Sequence, residues 1–155
     1  MREYEKTGVL SVDHLRLPSE EHLARGVAVI ECVQDIPCNP CVDACPVQAI
    51  SMENINAPPQ MDYEACIGCG QCVAVCPGLA IFLVKVDDGR GWVTLPYEML
   101  PVPGQGDQVT LVNREGEEVG RGTVTKVVKR RDTCVVTVEV PPALAMQVRA
   151  IRVKP

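Results

Sequence analysis

The sequence predicts an α+β fold in which a cysteine-rich unit with pseudo-twofold symmetry lies between an N-terminal extension and a small antiparallel, β-barrel-like C-terminal unit. Two observations support this prediction. A shift of 31 positions superposes residues 38–50 on residues 69–81 and aligns three cysteines, a proline and an Ala-Ile pair. After residue 106, apolar and polar residues roughly alternate, which is typical of strands with one buried face.

Charge and composition divide the chain further. Residues 1–94 hold 13 acidic and 6 basic side chains, whereas residues 95–155 hold 7 acidic and 9 basic. A segment rich in proline and glycine, "PYEMLPVPGQG", separates the two regions. The predicted divisions are an extension with a short helix at 1–26, a cysteine-rich domain at 27–95, a linker at 96–106 and a β-barrel-like domain at 107–155.

Local patterns predict the elements in order. In "LPSEEHLARG", Ser19 is a candidate N-cap for a short helix that Gly26 ends. "VAVIEC" predicts a buried strand, and "SMENINAPPQMDYEA" predicts a hairpin between the cysteine runs. In the C-terminal unit, turns at "NREG" and "KRRD" separate three or four strands, followed by one helical turn in "PALAMQ" and a last strand in "VRAIRV".

The second cysteine run, "CIGCGQCVAVCP", has the complete spacing of a bacterial iron–sulfur site. Three cysteines spaced three apart in a tight loop can reach three irons of one 4Fe-4S cubane, and the last cysteine of the other run supplies the fourth ligand. This rule predicts a site made by Cys66, Cys69, Cys72 and Cys45. It predicts a second site made by Cys38, Cys41 and Cys76 with one further ligand.

Glycine and proline in these runs have predicted roles as well. Gly68 and Gly70 are expected to let backbone N–H groups approach the cluster sulfurs. Pro46 and Pro77 are expected to let the chain leave each loop and start a short helix, giving the order loop, proline, helix and strand in each copy.

The missing ligand of the first run, "ECVQDIPCNPCVDACP", has three possible explanations. Asp35 stands where the pattern requires cysteine, and Cys32 lies three positions earlier. The fourth ligand is Cys32 across a bulged loop, or Asp35 through oxygen, or it is absent and the cluster has three irons. Thiolate is a softer ligand than carboxylate, and with Cys32 the two runs supply eight cysteines for the eight ligand positions of two clusters, which favours Cys32.

Zinc is the alternative metal for C-x2-C, but the full spacing, the prolines and the repeat favour two 4Fe-4S clusters.

The remaining composition argues against several classes of protein. The charged start "MREYEKTG" lacks the apolar region of an export signal, so we expect reduced thiols and a cytoplasmic location. No apolar run is long enough for a membrane span, and the acidic first region disfavours nucleic acid. Cys134 shares strand parity with Val136 and Val138, which predicts a structural core position. No catalytic constellation is recognisable.

The cysteine runs resemble the bacterial-type dicluster ferredoxin domain over about residues 27–85. The resemblance implies a pseudo-twofold fold with two clusters close enough for fast electron exchange. The whole chain also resembles small iron–sulfur subunits that accompany FAD-dependent dehydrogenases in anaerobic bacteria, including those that oxidise proline or hydroxyproline. That resemblance implies an electron-transfer subunit, an FAD-containing dehydrogenase as partner and a hetero-oligomer.

Two other functions stay open at this point. A freely diffusing ferredoxin would use the acidic cysteine-rich unit for transient docking. A redox sensor would use the basic "KVVKRRD" segment to bind nucleic acid, although no aromatic residues are interleaved there for base stacking.

Overall fold

The computed structural model describes residues 2–154 as nine strands and several short helices. The α-helices are α1 Glu3–Thr7, α2 Glu20–Arg25, α3 Pro40–Ala44 and α4 Gln71–Val75, and short 3-10 helices lie at Val12–His14 and Pro142–Leu144. The strands are β1 Val27–Ile30, β2 Ile50–Ser51, β3 Gln60–Met61, β4 Ile81–Asp87, β5 Arg90–Tyr97, β6 Gln108–Val112, β7 Glu118–Arg130, β8 Thr133–Val140 and β9 Ala150–Arg152.

Seven of these strands form one antiparallel sheet in the order β1-β4-β5-β8-β7-β6-β9. The other two, β2 and β3, pair as the hairpin predicted between the cysteine runs. The helical turn at Pro142–Leu144 and the final strand β9 also lie where the sequence predicted them.

The sheet crosses the predicted boundary between the two main units. β5 pairs with β8 from Gly91↔Val140 to Tyr97↔Cys134, so residues 96 and 97, predicted as linker, belong to a strand. Pro96 fits there because β4 pairs with β5 only as far as Thr94. Beyond that point β4 does not need a hydrogen bond from a backbone N–H, which proline lacks.

The C-terminal strands do not close into a barrel. Among residues 2–154 the sheet ends at β1 and β9, and no pairing joins these two strands. β8 lies between β7 and β5, so the strands of the predicted barrel-like unit form one part of an open sheet. The cysteine-rich unit contributes the other strands of this sheet. β7 is 13 residues long and pairs with β6 along its first half and with β8 along its second, with a register shift between Val124 and Lys126.

The hydrophobic residues form two clusters. The larger one draws on both predicted units, for example Phe82 and Leu95 from one and Val109 and Ile151 from the other. The smaller one packs Val27, Ala28, Val73 and Ile81 against the buried cysteines Cys41, Cys66 and Cys72. The buried thiols therefore pack against apolar side chains.

The N-terminal extension packs on the cysteine-rich unit. Ser19 caps α2 as predicted, because its side-chain oxygen accepts the N–H of His22 at 3.2 Å, and Gly26 ends the helix with φ +86°. The hydroxyl of Tyr63 donates to the carbonyl of Arg16 at 2.7 Å, and Arg25 donates to the carbonyl of Tyr63 at 2.9 Å. None of the helices between residues 2 and 154 has the length and apolar character that crossing a membrane requires.

Candidate metal centre

The two cysteine runs share the same backbone course. α3 and α4 are both five residues long and pack against each other. Gln48 and Leu79, which are 31 positions apart, both adopt positive φ, at 54° and 53°. Two residues further on, each copy enters a strand, β2 or β4. The sequence repeat is therefore a structural repeat.

Helix and proline occur in the opposite order from the prediction. α3 and α4 precede Pro46 and Pro77, and each helix ends at the cysteine before its proline. After the proline the chain makes a turn rather than starting a helix. The reason is that α3 already begins inside the cysteine run, with Pro40 in its first turn, so that the later prolines mark where the helix has stopped.

One group of thiols contains Cys32, Cys38, Cys41 and Cys76. Burial raises the pKa of Cys32, and the nearby charges of Cys76 and Cys38 raise it further. Burial likewise raises the pKa of Cys41, with added contributions from the charges of Cys76 and Cys32. Cys32 and Cys41 therefore both lie within electrostatic range of Cys76, a cysteine of the other run.

The second group contains Cys66, Cys69, Cys72 and Cys45. Burial raises the pKa of Cys72 to about 12, with further contributions from the charges of Cys66, Cys69 and Cys45. Cys45 of the first run thus influences Cys72 of the second run, and Cys76 of the second run influences Cys32 and Cys41 of the first.

Cys32 and Asp35 occupy different environments. Cys32 is partly buried at the end of the segment that follows β1. Asp35 is exposed in the loop between Cys32 and Cys38. Of the two candidates for the missing ligand, Cys32 is the one whose side chain is electrostatically coupled to Cys38, Cys41 and Cys76.

Backbone N–H groups donate to three of the sulfurs. Ala49 donates to Cys45 at 3.3 Å and Ala80 donates to Cys76 at 3.4 Å, which are equivalent bonds in the two copies. Ala28, in β1, donates to Cys66 at 3.4 Å. Such bonds stabilise negative charge on sulfur and are one means by which a protein sets the potential of an iron–sulfur cluster.

The loop glycines have positive φ, at +70° for Gly68 and +77° for Gly70. A Cβ on Gly68 would lie 2.6 Å from the carbonyl oxygen of Gly26, so this loop approaches the end of α2 too closely for any side chain. Gly70 directly precedes α4. The role evident for Gly68 is thus close packing of backbone against backbone.

The ninth cysteine, Cys134, is buried in β8 on the same face as Val136, Val138 and Val140. It belongs to the larger hydrophobic cluster and lies in neither thiol group. The prediction of a structural role for its position in the core is confirmed.

A buried ion-pair cluster that sequence analysis missed adjoins Cys32. Glu31 accepts two hydrogen bonds from Arg114, at 2.7 and 3.1 Å, and a further one from Arg149. The three side chains are 6%, 11% and 5% exposed, and the Arg149 guanidinium also lies 5.1 Å from the centre of the Phe82 ring. Because Arg114 lies in the β6–β7 turn and Arg149 precedes β9, this cluster joins the strand entering the first cysteine run to the C-terminal strands.

The charges in this cluster favour the ionised carboxylate. Burial acts to raise the pKa of Glu31, but the hydrogen bond from Arg114 and the charge of Arg149 outweigh it and hold the pKa below its usual value. The sequence did contain a sign of this cluster, because Glu31 directly follows the apolar residues of "VAVIEC" and Arg149 is the second residue of "VRAIRV". Nothing in the spacing of these residues, however, indicated that they would pair.

The donor set fits iron–sulfur clusters. Each group offers four thiols, and thiolate is the ligand that such clusters require. Burial is the main cause of the raised pKa values of Cys32, Cys41 and Cys72, and the charges of neighbouring cysteines raise them further; bound iron would stabilise the thiolates against both effects. Between residues 2 and 154, no three ligand-type side chains converge on a point where a single metal ion would sit. A four-iron cluster has no need of such a point, because each cysteine binds a different iron.

Comparison with known proteins identifies the cysteine-rich segment. Residues 31–80 match the family of 4Fe-4S dicluster domains, and this span contains all eight cysteines of the two groups. A polyferredoxin-like subunit of an aliphatic sulfonate oxidoreductase from Pyrococcus furiosus is 39% identical over 64 residues, which are 41% of this chain and 35% of that protein.

Other relatives share smaller fractions of their length. An uncharacterised ferredoxin from Methanocaldococcus jannaschii is 46% identical over 44 residues, 28% of each chain. The protein Pixie from Drosophila melanogaster is 29% identical over 117 residues, 63% of this chain and 19% of that one. The chain therefore spans about a third or less of the length of these relatives. No solved structure matches significantly.

These findings establish a ferredoxin-type dicluster domain that holds two 4Fe-4S clusters. Electron transfer is the activity that such a domain provides.

Proposed function

We propose that this chain, which carries a dicluster 4Fe-4S ferredoxin domain, relays electrons as the iron–sulfur subunit of a larger flavin-dependent oxidoreductase complex. The observation that supports the proposal is that Cys76 lies within electrostatic range of Cys32 and Cys41, and Cys45 within range of Cys72, so that each run contributes a cysteine to the other. The clusters, when bound, accept and release single electrons, and the protein side chains bind, space and shield them.

Each cluster has a proposed set of four ligands. We assign Cys32, Cys38, Cys41 and Cys76 to one cluster and Cys66, Cys69, Cys72 and Cys45 to the other. The electrostatic coupling of Cys32 to Cys38 and Cys76 supports Cys32, rather than Asp35, as the fourth ligand of the first cluster. With these ligands, four thiolates would occupy all four irons of each cluster, so that neither cluster would have an iron open to substrate and electron relay would be its chemistry.

The helices hold cysteines of the two proposed ligand sets close together. α3 carries Cys41 of one group and is followed by Cys45 of the other, and α4 carries Cys72 and is followed by Cys76 in the same way. Four residues of helix rise about 6 Å, so a ligand of one cluster is separated from a ligand of the other by about one helical turn. This spacing supports rapid electron exchange inside the domain.

The proposed partner is an FAD-containing dehydrogenase subunit in a hetero-oligomer, in a reducing cytoplasm. The name of the Pyrococcus furiosus relative describes a subunit of an oxidoreductase, which supports a role within an assembly. The chain also has far more than the cysteine-rich segment, since β6 to β9 and the N-terminal extension add surface that the clusters themselves do not require.

Metal analysis and electron paramagnetic resonance of anaerobically purified protein test the relay. We expect about eight irons and eight sulfides per chain and, after reduction, the spectrum of two interacting 4Fe-4S clusters. Zinc in place of iron, or only one cluster in oxygen-free material, would refute the proposal.

Purification of the untagged protein from its source tests the partner. We expect a stoichiometric subunit containing FAD, identified by its absorption spectrum and by mass spectrometry. Recovery of the chain alone, still able to exchange electrons, would instead indicate a freely diffusing ferredoxin.

A further inference from the structure

A wide cleft of about 1170 Å³ lies between the second cysteine run and the β7–β8 hairpin. One wall is the segment from Gly68 to Pro77 and includes Cys69, which is exposed, and Cys76. By the assignment above, these two cysteines belong to different clusters. The cleft is therefore a place where an outside molecule can approach ligands of both.

The opposite wall is strongly basic. It contains Lys126, Lys129, Arg130 and Arg131, all exposed. In the part of the chain from 2 to 154, none of these four forms an ion pair. The cleft also holds two acidic residues, Glu98 and Asp132, so that its side chains carry a surplus of positive charge within a chain of net charge −5.

Exposed apolar residues lie in one wall of the cleft and directly after a cleft residue in the chain. Val75, in the cysteine wall, is 42% exposed. Glu98 lines the cleft, and the two residues that follow it, Met99 and Leu100, are 58% and 87% exposed. An apolar strip beside a charged cleft is typical of a surface that another protein covers.

We propose that this cleft is the docking site for the acidic surface of a one-electron carrier or redox subunit, and that electrons enter or leave the chain at Cys69. The inference rests on the proposed electron relay and adds where the partner docks and what charge it carries. In each transfer one electron passes between a cluster and the partner's redox group, with no bond made or broken. The four unpaired cations attract the partner, and the apolar strip is buried when the partner is seated.

The size of the cleft favours a protein over a small anion. Pockets for small molecules usually enclose about 300–1000 Å³ and cover most of the ligand. This cleft is larger and open, and Met99 and Leu100, which follow the cleft residue Glu98 in the chain, are exposed apolar side chains that a small anion would leave uncovered.

The charge of the cleft is tested with Arg130→Glu and its matched control, Arg121→Glu. Both arginines are exposed on β7, but Arg121 lies nine residues away and outside the cleft. At about 3.3 Å per residue this separation is roughly 30 Å, well beyond the screening length of about 10 Å at 0.1 M salt.

The probes are inorganic oxidants of opposite charge, hexacyanoferrate(III) and hexaammineruthenium(III). Dithionite-reduced holoprotein gives one electron to each oxidant, and stopped-flow absorbance follows cluster oxidation. The readout is the ratio of the two rates, because a change in cluster potential moves both rates in the same direction and a change in local charge moves them in opposite directions.

We expect Arg130→Glu to lower the ratio of the hexacyanoferrate rate to the hexaammineruthenium rate about tenfold at low salt, with the difference shrinking as salt is added. Arg121→Glu should leave the ratio unchanged. Equal ratios in wild type and Arg130→Glu would refute the cleft as the route for electrons, while normal oxidation by both probes would leave the relay itself intact.

The protein occupant is tested with Leu100→Ser and flavodoxin, a small acidic one-electron carrier. Leu100 is 87% exposed, so the substitution removes docking area without disturbing the core. We expect slower reduction of the oxidised clusters by flavodoxin hydroquinone and an unchanged rate with hexacyanoferrate. If Leu100→Ser leaves the flavodoxin rate unchanged while Arg130→Glu alters only the inorganic probes, the cleft is a site for small anions and the docking proposal is wrong.

Discussion

Replacement of Glu31 by glutamine should destabilise this protein more than any other single loss of charge that the structure suggests. The carboxylate is the common acceptor for Arg114 and Arg149, and all three side chains are nearly excluded from solvent. Glutamine keeps the shape but leaves two neighbouring guanidinium groups buried without a counter-charge. Breaking a buried ion pair in this way costs about 3–5 kcal/mol.

The expected shift in melting temperature follows from the size of the chain. A loss of 1 kcal/mol lowers the midpoint by about 2–4 °C at this length, so Glu31→Gln should lower it by about 6–20 °C. The matched control is Glu118→Gln, because Glu118 pairs with Arg152 at 3.1 Å where both side chains are more than half exposed. Such a pair contributes about 1 kcal/mol or less, so the control should shift by no more than about 4 °C.

The assay is thermal unfolding of anaerobically purified holoprotein, followed by far-UV circular dichroism at one scan rate. Because cluster loss makes unfolding irreversible, apparent midpoints are compared only between samples of equal iron content. Equal midpoints for Glu31→Gln and Glu118→Gln would refute the reasoning. A triple replacement, Glu31→Leu with Arg114→Met and Arg149→Met, should restore stability near that of the wild type, since an apolar substitute removes the stranded charges as well as the pair.

Three further substitutions test the site and its supporting loop. Cys32→Ser should lower the iron content by about one to four atoms per chain, whereas Asp35→Ala should leave it unchanged by colorimetric iron analysis; the reverse result would assign the ligand to Asp35. Gly68→Ala should cost about 1–3 kcal/mol more in urea unfolding than Gly116→Ala, because both glycines have positive φ but only Gly68 faces a carbonyl oxygen at 2.6 Å. Cys134→Ala should keep full iron content and lose about 1 kcal/mol of stability, and a loss of iron would contradict its structural role.

Patterns of short range were predictable from the sequence. The shift of 31 residues predicted two copies of one local fold, and α3 and α4 with the positive φ angles of Gln48 and Leu79 confirm that repeat. Ser19 and Gly26 bounded α2 because capping depends on neighbouring residues alone.

Features that depend on distant parts of the chain were not predictable. The pairing of β5 with β8 joins residues about 40 positions apart, and no turn signal in the sequence connects these two strands. The whole of "PYEMLPVPGQG" was therefore interpreted as a linker, although its first two residues belong to β5. Glu31 and Arg149 lie 118 positions apart, and their attraction is evident only once the sheet has brought them together. The position of the helices was wrong for a local reason, since Pro46 was taken as a helix start when it follows a helix end.

The single sheet also determines how far the chain can be shortened. A chain that stopped after Tyr97 would retain the eight cysteines of the two groups. By its sequence it would be a minimal electron carrier. It would nevertheless lose β8, the neighbour of β5 along its whole outer edge, and expose Val93 and Leu95, which are now fully enclosed. An uncovered hydrophobic edge invites intermolecular pairing, so the excised fragment would aggregate. The cysteine segment can be recognised as a separate unit in the sequence. In the folded protein, however, its strand β5 depends on pairing with β8, so the segment cannot be separated from the strands that follow it.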